Sequence, residues 1–249
     1  MLNIALITST IAPELGVFAL NRASIKDRLE DYKKAFSFYC DRVQEGVFDR
    51  IVYVDNSGYD LEEIKKISID KGVHSKTEFI TYKSTIDPIN SRFYLEINLI
   101  DYFYENSVFL KENPSCTIWK ITGRYVIKNI SSIISKSCIK GKYDLYINYR
   151  NYPYRVIDFY LVGFSGSAYK IIFADNLNLY AGIKDGEIIL RDYLNNKNLS
   201  GLKILRRFPV IPRIIGIRGY DEGKYGGKKD LMKFYLRTLA NILIPSLWI

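Results

Sequence analysis

The apolar residues of this chain change their spacing as the sequence advances. In "MLNIALITST" they run almost unbroken to Thr8, as in a fully buried strand that leads into a polar loop through Pro13 and Gly16. Ile25, Leu29, Tyr32, Phe36, Tyr39 and Val43 then recur at three- and four-residue intervals, which predicts an amphipathic helix from Ser24 to Gln44. "FDRIVYVDNSG" returns to a β-branched run and ends in the turn Asp55-Asn56-Ser57-Gly58. Asp60 followed by Glu63 has the form of a capping box for a helix over about 61–71. "TEFITYK" reads as a third strand, and Arg92 to Phe109 as a helix with Leu95, Leu99, Tyr102 and Phe103 on its buried stripe. "SCTIWKITGRY" is a fourth strand. This alternation predicts an α/β fold, a mostly parallel sheet flanked by helices, whose ligands lie outside the carboxyl ends of the strands.

The second half is richer in strand patterns: "YDLYINYRNY", "VIDFYLVGFSGSAYKIIF" and "GLKILRRF", with helices over about 176–184 and 186–194. From Lys228 the pattern is helical until Pro245. The expected organisation is a main unit over 1–202 followed by a basic loop and helix over 203–249.

Composition narrows the chemistry. With 48% hydrophobic and 25% charged residues the chain resembles an ordinary folded protein. The first residues lack a basic region and a cleavage site, and no apolar run approaches the roughly 20 residues that span a bilayer, so a cytoplasmic location is expected. Cys40, Cys116 and Cys138 lack paired spacing and are expected as buried thiols. His74 is the sole histidine and stands in a polar stretch, which disfavours triads and histidine-based metal sites. Net charge is +9, and residues 203–237 hold ten Lys or Arg against Asp221, Glu222 and Asp230. Such asymmetry points to a polyanionic partner: a nucleic acid, an anionic membrane or a diphosphate.

Three polar clusters follow strands. Thr8, Ser9 and Thr10 close the first, Asp55, Asn56 and Ser57 the second, and Lys120, Thr122, Gly123 and Arg124 the fourth. If these strands are parallel neighbours, the clusters meet at one sheet edge, with Asp55 suited to a base or ribose and the cations to phosphates. On an extended strand Lys120, Thr122 and Arg124 share one face and would converge on one pyrophosphate. Pairing of both cations with surface carboxylates is the other reading of the stretch.

Thr8 to Pro13, Arg28, "FDRIVYVDNSG", Glu96 and "WKITGRYVIKN" together resemble bacterial nucleotide-sugar glycosyltransferases of surface-polysaccharide clusters, a divergent form of the GT-A type. The resemblance covers roughly residues 1–225 and implies a nucleotide-sugar donor with a glycan or lipid-linked acceptor. GT-A enzymes commonly carry Asp-x-Asp where this chain has "KITGRY". Lys120 and Arg124 are therefore expected to neutralise the leaving diphosphate without a cofactor; a divalent metal is possible but not predicted. An inverting transfer needs a base, and the candidates are Glu187 and Asp158. Glu187 also suits a first-turn helix acid, and Asp158 an ion pair with Arg150 or Arg155. Glu96 reads either as a pocket residue or as a solvated one.

Residues 206–227 carry five glycines with Arg206, Arg207, Arg213 and Arg218, the pattern of a closing loop, and Arg218 is placed with the diphosphate ligands. In the tail, Leu231, Tyr235, Leu239, Ile242 and Leu243 form an apolar face beside Lys228, Lys229, Lys233 and Arg237. Such a helix fits either an anionic membrane surface or the catalytic core. The competing functions are a nucleic-acid-binding module, suggested by the charge and 21 tyrosines, and a non-catalytic nucleotide-sugar-binding homologue. Without a recognisable nucleic-acid motif, no nucleic-acid partner is expected.

Overall fold

The computed structural model describes residues 2–14, 20–87, 92–152, 154–182, 185–197, 199, 201–219 and 221–244. In chain order the elements are β1 (Asn3–Ser9), α1 (Ile25–Gln44), β2 (Arg50–Asp55), α2 (Glu62–Asp70), β3 (Thr77–Thr81), α3 (Arg92–Asn106), α4 (Val108–Glu112), β4 (Thr117–Thr122), β5 (Val126–Ile127) and α5 (Ile130–Ile139). There follow β6 (Leu145–Tyr146), β7 (Tyr149–Arg150), β8 (Val156–Ile157), β9 (Leu161–Phe164), α6 (Gly166–Ile172), a 3-10 segment (Ala174–Tyr180), α7 (Gly186–Asn196), β10 (Ile204–Leu205), β11 (Ile214–Ile217), β12 (Lys224–Tyr225) and α8 (Lys228–Leu243).

Seven strands form one sheet in the order β10-β6-β9-β4-β1-β2-β3. Four of its pairings are parallel and only β9 runs against its two neighbours, so the sheet is mostly parallel. Alternation along the strands divides the core between two layers of helices. Ala5, Ile7, Trp119 and Ile121 pack toward α1, α2 and α5, while Ile4, Leu6 and Ile118 pack toward α3, α6 and α7. Gly163 stands opposite Trp119, and a Cβ there would come within 2.9 Å of the indole.

The chain passes from β1 outward through β2 and β3, then returns to place β4 on the other side of β1. This reversal opens a crevice at the carboxyl ends of β1 and β4. Register brings Thr8 beside Thr122 and Ser9 beside Asp55, so the three polar clusters do share one edge.

Several expectations change. Asp60 accepts from the Glu62 N–H, but Glu63 turns to Lys33 instead of closing a capping box, and the helix cap falls on Leu61. The helix expected over 92–109 breaks at Ser107, whose hydroxyl caps the separate helix α4. The buried stripe of α3 is Phe93, Ile97, Leu99, Ile100 and Phe103, with Leu95 turned to the crevice. "SGSAYKII" is helical rather than extended because Ser165 caps it through the Ala168 N–H. Cys138 is exposed, unlike the other two thiols.

Residues 206–227 are not a loose loop. Strands β5, β11 and β12 make a small antiparallel sheet, and the Gly219 carbonyl accepts from the Asn21 and Arg22 amides. Strand β10 joins the main sheet beside β6.

Candidate functional site

The crevice forms a cavity of about 150 Å³ whose floor comes from strand ends and whose walls come from α1, α3 and the segments after β2 and β3. Thr8, Ser9, Thr10, Asn56, Ser57, Thr122 and Arg124 all line it. Gly123 permits their approach: its N–H donates to the Thr8 carbonyl at 2.9 Å, and a Cβ would come within 2.6 Å of that oxygen and 2.8 Å of Ile7 Cγ2.

At the centre stands Glu96 of α3. Its Oε1 accepts from the Thr8 hydroxyl at 2.9 Å and from the Thr122 hydroxyl at 3.1 Å, and it also pairs with the Lys120 ammonium. One carboxylate thus ties the two strands of the switch point to the helix beside them. Glu96 is neither merely solvated nor remote from the site.

Lys120 is placed differently from expectation. Strand alternation turns it, like Ile118, toward α3 and α7, where it is fully buried. Its ammonium donates to the Phe159 carbonyl at 2.7 Å and the Thr122 hydroxyl at 3.1 Å, and it lies over the Phe159 ring. Burial lowers its pKa, opposed by the charges of Glu96 and Glu187. It sits behind the cavity wall and does not line it. The strand ends at Thr122, and the turn closed by the Tyr125 N–H on the Thr122 carbonyl swings Arg124 away from Lys120. The two cations therefore do not converge on one point.

Arg124 lines the cavity alone among the cations of "WKITGRY". Its Nη1 donates to the Ile217 carbonyl at 2.9 Å, so β11 fixes the guanidinium at the rim. Its neighbours there are Arg28 and Tyr32, one turn apart on α1. Arg28 is 4% exposed and donates to the Thr10 and Arg22 carbonyls and the Tyr32 hydroxyl. Lys83 and Arg92 add two exposed cations to the lining. Sequence reasoning counted Arg28 only within the family resemblance and gave it no binding role, although an arginine four residues before Tyr32, beside an apolar stripe, was a usable signal.

Asp55 does not reach the cavity. It is fully buried, with Oδ2 accepting from the Ser9 hydroxyl at 2.7 Å and the Ile11 N–H at 2.9 Å, and Oδ1 accepting from the N–H and hydroxyl of Ser57. These four bonds occupy the carboxylate that was expected to meet a base or ribose. Arg218 also lies off the cavity lining: it pairs with Asp221 at 2.7 Å and covers the Tyr225 ring.

Beyond Lys120 lies a second carboxylate group. Glu187, in the first turn of α7, accepts from the Phe159 N–H at 3.1 Å, and burial next to the charge of Asp158 pushes its pKa up to about 7. Asp158 accepts from Asn148 Nδ2 at 2.8 Å and pairs with Arg150 at 3.6 Å, the ion pair weighed from sequence. Neither carboxylate lines the cavity; Lys120 joins them to it by bonding the Phe159 carbonyl on one side and Glu96 on the other.

Among the described residues no three His, Cys, Asp or Glu side chains lie together, and Glu96 already serves a lysine and two hydroxyls.

No family model matches the chain, and no curated protein does. Among solved structures it is similar to a protein described as a nucleotide-diphospho-sugar transferase from Desulfovibrio desulfuricans, with 12% identity, a TM-score of 0.45, and coverage of 82% of this chain and 78% of the other. It is also similar to 4-diphosphocytidyl-2C-methyl-D-erythritol synthase from Anaerococcus prevotii, with 13% identity, a TM-score of 0.43, and coverage of 95% and 96%.

Proposed function

We propose that the protein is a glycosyltransferase that moves a sugar from a nucleotide-sugar donor to a hydroxyl of a surface-polysaccharide or lipid-linked glycan. The observation that carries this reading is the switch-point crevice. Hydroxyls from β1 and β4 meet there on Glu96, and Arg124 is held at the rim, where a diphosphate would meet charge-assisted donors. The motif resemblance to surface-polysaccharide enzymes supports the acceptor class.

In an inverting course the acceptor oxygen bonds to the anomeric carbon as the bond from that carbon to the phosphate oxygen breaks. The acceptor approaches from the Asp158 side, outside the donor cavity that Glu187 does not line; its proton passes to Glu187, whose pKa near 7 suits a base at neutral pH, and Arg124 stabilises the departing nucleoside diphosphate. Lys120 acts from behind the wall by holding Glu96 and the Phe159 carbonyl in place.

Calorimetric titration of UDP, GDP, CDP, dTDP and CMP, each with EDTA and with Mn²⁺, tests the donor site. One nucleotide is expected to bind selectively and without metal, and Arg124→Ala to weaken it about 10- to 100-fold. No binding under any condition would overturn the reading. Turnover must release a nucleoside diphosphate; release of pyrophosphate would make the protein a nucleotidyltransferase instead.

A further inference from the structure

Helix α8 is mounted inside out. Among its described residues none is buried, and Met232, Tyr235, Leu236, Leu239, Ile242 and Leu243 are each 52–70% exposed. At 3.6 residues per turn these six occupy one arc of roughly 120°. The half-buried positions are Asp230, Leu231, Phe234, Arg237, Thr238, Ala240 and Asn241, so a mixed side that holds the helix's acid and Arg237 faces the body, while the continuous apolar arc faces out. A helix that merely completed a core would be turned the other way.

Charge decides what this face can meet. Lys229 and Lys233 are exposed along one border of the apolar arc, with Lys228 at the helix start. The helix has one acid, Asp230, whose Oδ2 accepts from the Gly226 and Gly227 amides. A second copy packed on the same face would offer no carboxylate of α8 to the lysines. An anionic headgroup layer over acyl chains satisfies both parts of the pattern. The helix is not long and apolar enough to cross a bilayer, which leaves the in-plane position.

We propose that α8 docks the protein on an anionic lipid bilayer, with the apolar arc at the acyl boundary and Lys229 and Lys233 among the headgroups. The inward side of the helix carries Arg237, whose charge is felt at Tyr160, and the Tyr160 hydroxyl donates at 3.4 Å to Asp158, the charged neighbour of the candidate base Glu187. A lipid-borne acceptor would thus arrive beside Asp158, a consequence that rests on the proposed glycosyl transfer, whereas the docking does not.

The test is flotation of the full chain with vesicles of equimolar phosphatidylcholine and phosphatidylglycerol, and with phosphatidylcholine alone. Binding to the anionic vesicles alone is expected. Leu239→Glu with Ile242→Glu should abolish it, and Lys229→Glu with Lys233→Glu should weaken it about 30-fold or more and flatten its salt dependence. Circular dichroism and nucleotide titration on each variant are expected to match the parent protein, which separates loss of docking from loss of fold or donor site. Failure to float with anionic vesicles overturns the proposal. So does a dimer, seen by sedimentation velocity, that Leu239→Glu dissociates while vesicle binding is absent.

Discussion

On the β1 and β2 side of the crevice, polar groups sit at the ends of strands six or seven residues long, locked in parallel register, with nearly every hydroxyl and carboxylate paired. On the far side of β4, Asp158 follows a two-residue strand and Glu187 opens a helix, and what joins them is a buried lysine and the backbone of Phe159. The first half fixes its polar groups by backbone order. The second holds charge in a confined space, and confinement is what moves a pKa. Under the proposed transfer, binding falls to the first kind of structure and proton transfer to the second.

Glu187→Gln would break this division most strongly. It is expected to lower kcat by about 10²–10⁴ with nucleotide affinity unchanged, and to abolish the rise in rate through pH 7 that deprotonation of the base would give. A matching loss of affinity would mean that the halves are not separate. Stability gives an independent readout. The folded Glu187 keeps its proton up to about 7, above the ordinary 4.5, so the folded state binds more protons than the unfolded one in that window and stability falls as pH rises through it. Urea unfolding at pH 8 should find Glu187→Gln the more stable protein, the difference vanishing below about pH 4.5.

Lys120→Met tests the junction. Removing the ammonium leaves Glu96 and the Phe159 carbonyl without their buried partner, and a loss of about 3–5 kcal/mol in denaturant unfolding is expected. Activity in the folded fraction should fall further than Glu96-side nucleotide binding. An unchanged unfolding midpoint would show that the ion pair does not hold the halves together.

Gly123→Ala sharpens the comparison with the smallest effect. Its Cβ meets backbone at the Thr8 carbonyl, which cannot rotate away, so a loss of about 1–3 kcal/mol is expected, read as a drop in Tm with nucleotide affinity reduced in parallel. A stability loss without a loss of affinity would show that Thr8 and Thr122 need not stay in register for binding.

The sheet edge was legible because continuous apolar runs ending in Thr8-Ser9-Thr10 and Asp55-Asn56-Ser57 report strand ends directly. Strand alternation also placed Lys120 and Thr122 on one face correctly. What it did not report was depth: Lys120 faces α3 and α7 and never reaches the cavity, and the turn at Gly123 ends the alternation before Arg124. Asp55 looked like a ligand because an acidic turn after a strand can serve a sugar or its own backbone, and four local donors made the choice. The second half read poorly because two-residue strands carry too few positions to show a period. The hairpin over β11 and β12 was obscured by the same glycines that suggest a mobile loop.

Asp55 has one more consequence. Because it fastens the start of the loop after β1 to the loop after β2 before any ligand arrives, that wall of the crevice has already lost its conformational freedom during folding. Any ligand entering there meets a surface that needs little ordering, so more of each contact formed remains as affinity.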